Sequence, residues 1–203
     1  MKKHNMQQQT PEWHQIKLGV VSGTQAKGLM GTPKARQESI YDIVGERLKV
    51  TDEEYENEHP IARGNRLEEF AIGAYEEATG TQVERVGFCE HDSEQYLGNS
   101  PDGLVGDFGA IEVKCPEHKN YIKYWLENKI PDDYIWQVVQ YFVVNNTLLW
   151  LDFVAYNPDI PSHPIHIIRT TRTELTEKIA ELEAKEHIFI KEVNDILATL
   201  IEF

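Results

Sequence analysis

The sequence predicts an α/β fold in which a mixed central β-sheet is flanked by α-helices. Three observations carry this. Helical periodicity dominates the first third of the chain, strand-like runs cluster over residues 83–115, and two more strand-like runs follow a pair of helical stretches before a long final helix. Hydrophobic content of 40% with four Trp supplies a packed core. The length of 203 residues suits one domain, taken as residues 1–203, with room for helices on both faces of a sheet.

In chain order, residues 1–10 are polar and Gln-rich and are expected to fray. Thr10-Pro11-Glu12 is a helix-start signal, a capping hydroxyl followed by Pro at the first helical position. That helix carries Trp13 and Lys17 and stops at Gly19. A hydroxyl at Ser22 or Thr24 caps a second helix over residues 25–30, and with the nearby lysine forms either a phosphate pocket or an ordinary capped turn. Residues 31–36 read as a loop with two cations, Lys34 and Arg36, ahead of a helix over 38–48. The acidic stretch 52–58 reads as a solvated connection or a helix end. A helix over 65–79, ended by Gly80, places Leu67, Phe70, Ala71, Ala74, Tyr75 and Ala78 on a buried face. Strands are expected over 83–91 and 96–100, helices over 118–129 and 134–145, strands over 147–156 and 164–171, and a helix over 173–201 capped by Thr173.

Composition excludes several classes. Cys89 and Cys115, both in apolar strand-like settings, make neither a disulfide framework nor a zinc or iron–sulfur ligand set and read as buried thiols. No apolar run approaches the roughly eighteen residues of a membrane span, and no leader pattern opens the chain. A cytoplasmic protein without a membrane partner is expected. A net charge of −14 argues against a nucleic-acid surface spread over the whole molecule. Residues 1–36, however, hold six basic side chains against one acid, so a local basic surface on an acidic body stays open.

The stretch that carries chemistry is Ser100-Pro101-Asp102-Gly103-Leu104-Val105, followed by Ala110-Ile111-Glu112-Val113-Lys114-Cys115-Pro116. As two short strands joined by Gly106-Asp107-Phe108-Gly109 it makes a ribbon. Alternation along the second strand sends Ile111, Val113 and Cys115 to one face and Glu112 and Lys114 to the other. Asp102, at the neighbouring strand, brings a second carboxylate beside Glu112. Two carboxylates plus a backbone carbonyl make a hard-oxygen site suited to Mg²⁺ or Mn²⁺. The lysine can orient a metal-bound water for phosphodiester hydrolysis. Two surface acids and a solvated lysine on a hairpin are the alternative that spacing alone leaves open.

Four blocks in this order resemble the phage lambda-type exonuclease, or YqaJ-like viral recombinase, family of PD-(D/E)xK nucleases. They are Trp13-His14-Gln15-Ile16-Lys17-Leu18-Gly19-Val20, Gly64-Asn65-Arg66-Leu67-Glu68, Ser100-Pro101-Asp102-Gly103-Leu104 and Glu112-Val113-Lys114-Cys115-Pro116. The resemblance covers the chain from about residue 11 to the final helix. It implies a restriction-endonuclease-like core and a Mg²⁺-dependent exonuclease, with Mn²⁺ substituting, that degrades the 5′-ended strand of duplex DNA and leaves a 3′ single strand for recombination. Carried over by position, Asp102, Glu112, the Val113 carbonyl and Glu68 (at the helix start) hold two ions. Lys114 positions the attacking water and Gln137 braces the site. Lys17, with Thr24 and Ser100, takes the 5′-phosphate. Lys17 stands where the family has an arginine, and a lysine lacks the bidentate fork. Ile61 falls at an apolar wedge that splits the terminal base pairs, Lys34 in a loop reaching the duplex, and Arg63 and Trp13 among the DNA contacts. The resemblance also implies a ring-shaped homotrimer, a single-strand annealing partner, and a phage or prophage origin in a bacterial cytoplasm. Two other functions compete: an endonuclease on the same core, and a DNA-binding module without catalysis. A related class with an iron–sulfur cluster needs four cysteines, and this chain has two.

Overall fold

The computed structural model describes residues 1–48 and 58–201, with residues 58–66 described by backbone alone. Among the described residues there are seven helices and seven strands, and apart from the first strand their order is the one the sequence suggests. The helices are α1 (Pro11–Lys17), α2 (Gly23–Leu29), α3 (Pro33–Arg47), α4 (Glu58–Thr79), α5 (His118–Glu127), α6 (Ile135–Val144) and α7 (Thr176–Ile201). Strands β1 (Lys2–His4), β2 (Phe88–Glu90) and β3 (Gly98–Asn99) form a small antiparallel sheet in that order. Strands β4 (Gly103–Val105), β5 (Gly109–Lys114), β6 (Trp150–Tyr156) and β7 (Ile165–Thr171) form the main one, in the order β4-β5-β6-β7. Strands β5 and β6 run parallel, with Glu112 opposite Phe153, and their crossover is built from α5 and α6, as a parallel pair requires. The other two pairings are antiparallel.

The pleat of β5 divides the molecule. Ile111 and Val113 join Val105, Val154 and the α4 residues Ala71, Ile72 and Tyr75 in one apolar cluster. The larger cluster lies on the opposite face, where α2, α3, α6 and α7 contribute Leu29, Ile43, Val139, Phe142, Leu182 and Phe189 above Leu151 and Phe153 of β6. Glu112 and Lys114 share that second face, as the alternation requires. Gly106 makes the tight turn between β4 and β5 at φ +56°, a left-handed conformation that glycine adopts without penalty.

Several expectations are corrected. Residues 1–10 do not fray: β1 pairs with β2, and its lysines meet acids across the strands, Lys2 with Glu90 and Lys3 with Glu84. Residues 33–36, expected in a loop, are helical, because Thr32 caps α3 and Pro33 opens it just as Thr10 and Pro11 open α1. Lys34 thus stands in the first turn of a helix. Helix α4 starts at Glu58, so Glu68 lies well inside it and not at its start. Phe70 is 63% exposed and Ala78 is exposed too, because the buried stripe of α4 runs through Ala71, Ile72 and Tyr75. The strand expected over 83–91 is confined to Phe88–Glu90, preceded by a single bridge from Glu84 to Leu104. Cys89 is buried, but Cys115 is only half-buried. The acidic stretch 52–57 lies outside the described residues.

Two polar features sit in the helical layer. Arg172 closes the end of α6, donating to the carbonyls of Phe142, Asn145 and Leu148 at 2.6–2.7 Å. Glu186 of α7 is 1% exposed against Gln140 of α6, and neither side chain has a hydrogen-bond partner among the described residues. Burial pushes its carboxyl up to about 8, and the Glu183 charge adds to this. The folded chain therefore holds this proton more tightly than the unfolded one. The resulting stability is complete below the unfolded carboxyl value and is lost as pH rises through the folded one, by at most about 1.4 kcal/mol per pH unit. Glu186→Gln is expected to match the parent in urea unfolding at acidic pH and to exceed it increasingly as pH is raised to about 8.

Candidate active site

The ribbon of β4 and β5 brings its two carboxylates together through donors that the backbone fixes. Asp102 stands at the entrance to β4, and its Oδ2 accepts from the Val113 N–H at 2.6 Å. Its own N–H donates to the Tyr141 hydroxyl at 3.3 Å, and that hydroxyl donates to Glu112 Oε2 at 2.6 Å. The other Glu112 oxygen is ion-paired with Lys114 Nζ. Glu112 has no solvent exposure, so both of its oxygens depend on these two donors. The Lys114 ammonium also lies 5.1 Å from the centre of the Tyr134 ring.

These groups face an open cavity of about 920 Å³. Glu68, Asp102, Glu112, Val113, Lys114, Gln137 and Tyr141 line one part of it, and Trp13, Lys17, Ser22, Thr24 and Ser100 line another. Gln137 reaches it from α6, packed so closely on Gly23 that a Cβ there would come within 2.9 Å of its Cγ. The electrostatics are those of crowded acids. Burial raises Asp102 well above the usual carboxylate range, the Glu112 charge adds to this, and Lys114 opposes it. Burial works against the Lys114 charge, but Glu112 and Asp102 outweigh it and the net shift is upward. Tyr141 is raised by burial and then by the Glu112 charge, so it stays a proton donor.

The second part of the cavity is built on Trp13, which is 6% exposed and donates from Nε1 to the Gly87 carbonyl at 2.8 Å and to Ser100 Oγ at 3.0 Å. Lys17 Nζ sits 3.6 Å from the centre of the Trp13 ring. Burial lowers Lys17 to about 8, with the Glu46 charge working in the other direction. Ser22 caps α2, its hydroxyl 2.5 Å from Gln25 Oε1, while Thr24 is exposed at the first turn. Lys34 is exposed, pairs with Glu38 at 3.7 Å and lines no part of this cavity. The side chains of Ile61 and Arg63 lie outside the described residues, although both positions fall in α4.

The donors facing the cavity are oxygens, which suit a hard divalent cation. Asp102 and Glu112 stand together. Glu68 faces the same cavity from α4 with Oε1 held 2.8 Å from Arg85 Nη2. Among the described residues no three acidic, thiol or imidazole side chains converge at ligand spacing. Asp102 and Glu112 therefore suit a divalent cation, and Glu68, though paired with Arg85, lies near enough for its charge to raise Asp102 further. Tyr141 and Arg85 are the residues that sequence reasoning did not assign. For Tyr141 a signal existed, since it lies one helical turn beyond Gln137 on the same face.

This arrangement can be set beside known proteins. The YqaJ-like viral recombinase domain matches residues 12–147. An alkaline exonuclease from Laribacter hongkongensis is similar in structure, with a TM-score of 0.87 and 31% sequence identity over 95% of this chain and 97% of that one. Its complex with dAMP aligns with a TM-score of 0.85 and 31% identity over 94% and 96% of the two chains. A phage-related exonuclease from Haemophilus somnus 129PT shares the fold, with a TM-score of 0.56 and 16% identity over 87% and 96% of the two chains. A comparison with curated proteins finds no match. The chain belongs to the YqaJ-like viral recombinase family. Its fold is of the PD-(D/E)xK type.

Removing the Tyr141 hydroxyl strands two buried groups, Glu112 Oε2 and the Asp102 N–H. Tyr141→Phe is expected to lose about 1–3 kcal/mol in urea unfolding while keeping the helical circular dichroism of the parent.

Proposed function

We propose that this protein is a divalent-metal-dependent exodeoxyribonuclease that hydrolyses the 5′-ended strand of linear double-stranded DNA and leaves a 3′ single strand for recombination. The observation that carries this reading is the meeting, in one cavity, of the Asp102–Glu112–Lys114 group with the separate Trp13–Lys17–Ser100 group. The first suits phosphodiester hydrolysis and the second suits an anionic terminus.

Asp102 and Glu112 hold the cation, Mg²⁺ or Mn²⁺, with the Val113 carbonyl as a further oxygen. A cation so placed polarises the phosphoryl oxygen and makes water a stronger nucleophile. A second ion requires Glu68 to serve as well. Lys114, kept charged beside Glu112, orients the nucleophile and stabilises the negative charge that develops on the phosphate. Tyr141 and the Val113 N–H hold the two carboxylates so that neither swings away. Gln137 walls the site from α6. Lys17 takes the 5′-phosphate of the DNA end as a point charge, with Ser100 and Thr24 as hydroxyl donors. Lys34, Ile61, Arg63 and Trp13 extend the duplex contacts, Trp13 as the buried support for Lys17. Family likeness extends the reading to a homotrimer and a single-strand annealing partner in a bacterial cytoplasm. Among the described residues no helix is long and apolar enough to cross a membrane.

The test is Mg²⁺-dependent digestion of a duplex labelled separately at each end. Loss of label from the 5′-phosphorylated end first is expected, with closed circles intact; rapid nicking of circles identifies an endonuclease instead. Asp102→Ala and Lys114→Ala are each expected to lower hydrolysis by at least about a hundredfold while gel-shift binding of DNA persists. Lys17→Ala is expected to slow digestion of phosphorylated ends selectively. Because Asp102 is raised and must lose its proton to hold a cation, Mn²⁺ affinity measured by calorimetry is expected to weaken as pH falls.

A further inference from the structure

Helix α3 contributes no side chain to the cavity, yet its last turn grips the segment that carries Lys17. The turn that leaves α1 passes through Gly19 at φ +70°, a left-handed conformation. Both backbone polar groups of Gly19 are taken by consecutive residues of α3. Its N–H donates to Glu46 Oε2 at 2.7 Å, and its carbonyl accepts from Arg47 Nε at 2.9 Å. Contact is so close that a Cβ at Gly19 would fall 2.3 Å from Arg47 Cγ. Arg47 is itself fixed on two other sides, its guanidinium 3.8 Å from the centre of the Tyr96 ring and its Nη1 2.9 Å from Asn194 Oδ1 of α7. Lys17 belongs to the same turn, since its carbonyl accepts from the Val20 N–H at 3.1 Å.

We infer that Glu46 and Arg47 act as a pincer on Gly19, positioning residues that set where Lys17 stands over Trp13 and so govern recognition of the DNA end. The role in recognition rests on the end-binding reading above; the mechanical role does not. Arg47 touches no reacting atom in this scheme. Its loss loosens Lys17, raises KM for phosphorylated ends, and leaves turnover on 5′-hydroxyl ends near the parent value. The ordinary alternative is that the contact only helps the helices dock, in which case its loss affects all ends alike.

The experiment uses the full chain and the variants Arg47→Ala, Arg47→Lys and Glu46→Ala, with two readouts. One is the ratio of kcat/KM on 5′-phosphorylated to 5′-hydroxyl duplex, which is insensitive to the folded fraction. Arg47→Ala is expected to lower it about tenfold, since small misplacements of binding groups are costly, and Arg47→Lys, which keeps one donor for Gly19, is expected to restore part of it. The other readout is the rate at which acetic anhydride modifies Lys17 relative to Lys34 in the DNA-free protein, followed by mass spectrometry. A several-fold rise is expected in Arg47→Ala; Glu46→Ala also removes a charge that holds the Lys17 proton, so its labelling is read only beside the ratio of kcat/KM. If Arg47→Ala does not fold, Arg47→Lys carries the same comparison. Unchanged Lys17 labelling in a folded variant, or an equal loss on both kinds of end, overturns the pincer. A parent protein with no preference for 5′-phosphate overturns the end-binding reading instead, and labelling of Lys17 then decides the pincer alone.

Discussion

A carboxylate shut off from water must be met by donors, and the centre of this protein is arranged around meeting Glu112. An uncompensated charge at such a place costs several kcal/mol, so the two groups that face it, Lys114 and Tyr141, are not optional. Each imposes a condition on the fold. Lys114 is two residues along the same strand, so β5 must be extended for the ammonium to share a face with the carboxylate. Tyr141 comes from α6, so the crossover after β5 must return a helix across that face. The Asp102 N–H, bound to the same phenol, and the Val113 N–H, which donates to the Asp102 carboxylate, then place the second carboxylate.

The two faces of β5 answer to different physics. Toward α4 the strand offers Ile111 and Val113 to a small apolar cluster, where shape and area decide. Toward α6 it offers charge, where the number and direction of donors decide. A strand whose residues alternate between these demands has little freedom of register, because a slip of one position would bury Lys114 among α4 side chains and turn Ile111 toward the carboxylates. The parallel pairing with β6 fixes that register along the whole strand. The Lys17 region obeys a looser rule: it is a turn between short helices, held in place by side chains from α3 and by Trp13.

The sequence made the ribbon legible because period-two alternation over six residues leaves few alternatives, and it made α1 legible because Thr10-Pro11 states where a helix begins. The same Thr-Pro signal at Thr32-Pro33 was outweighed by Gly31 and two cations, which look like a loop only if the cap is ignored. Strand β1 has no apolar alternation in Lys2-Lys3-His4 to announce it; it is defined by backbone pairing with the distant β2, with acids facing its lysines. On α4 helical spacing finds Ala71 and Tyr75 of the buried stripe but also admits Phe70 and omits Ile72, because the small Ala71 lets the helix approach the sheet along a line that leaves Phe70 outside. Asp102, Glu112, Lys114, Lys17 and Ser100 were legible as a set from family likeness, and the cavity brings them together. For Tyr141 the sequence shows the shared face with Gln137 but not the partner, because helical spacing does not tell which carboxylate on a strand the phenol will meet. The pairing of Glu68 with Arg85 was hidden for the same reason.

The carbonyls gathered by Arg172 give α6 an unequal pair of ends. Beyond Tyr141 a single guanidinium takes the carbonyl of Phe142 in the last turn, that of the C-cap Asn145 and that of Leu148 past the helix, whereas the opening residue, Tyr134, has no capping hydrogen bond from its side chain. One guanidinium thus joins the end of α6 to the stretch that leads into β6, so the helix that carries Tyr141 and the strand beside β5 share a single tie on the side away from Gln137.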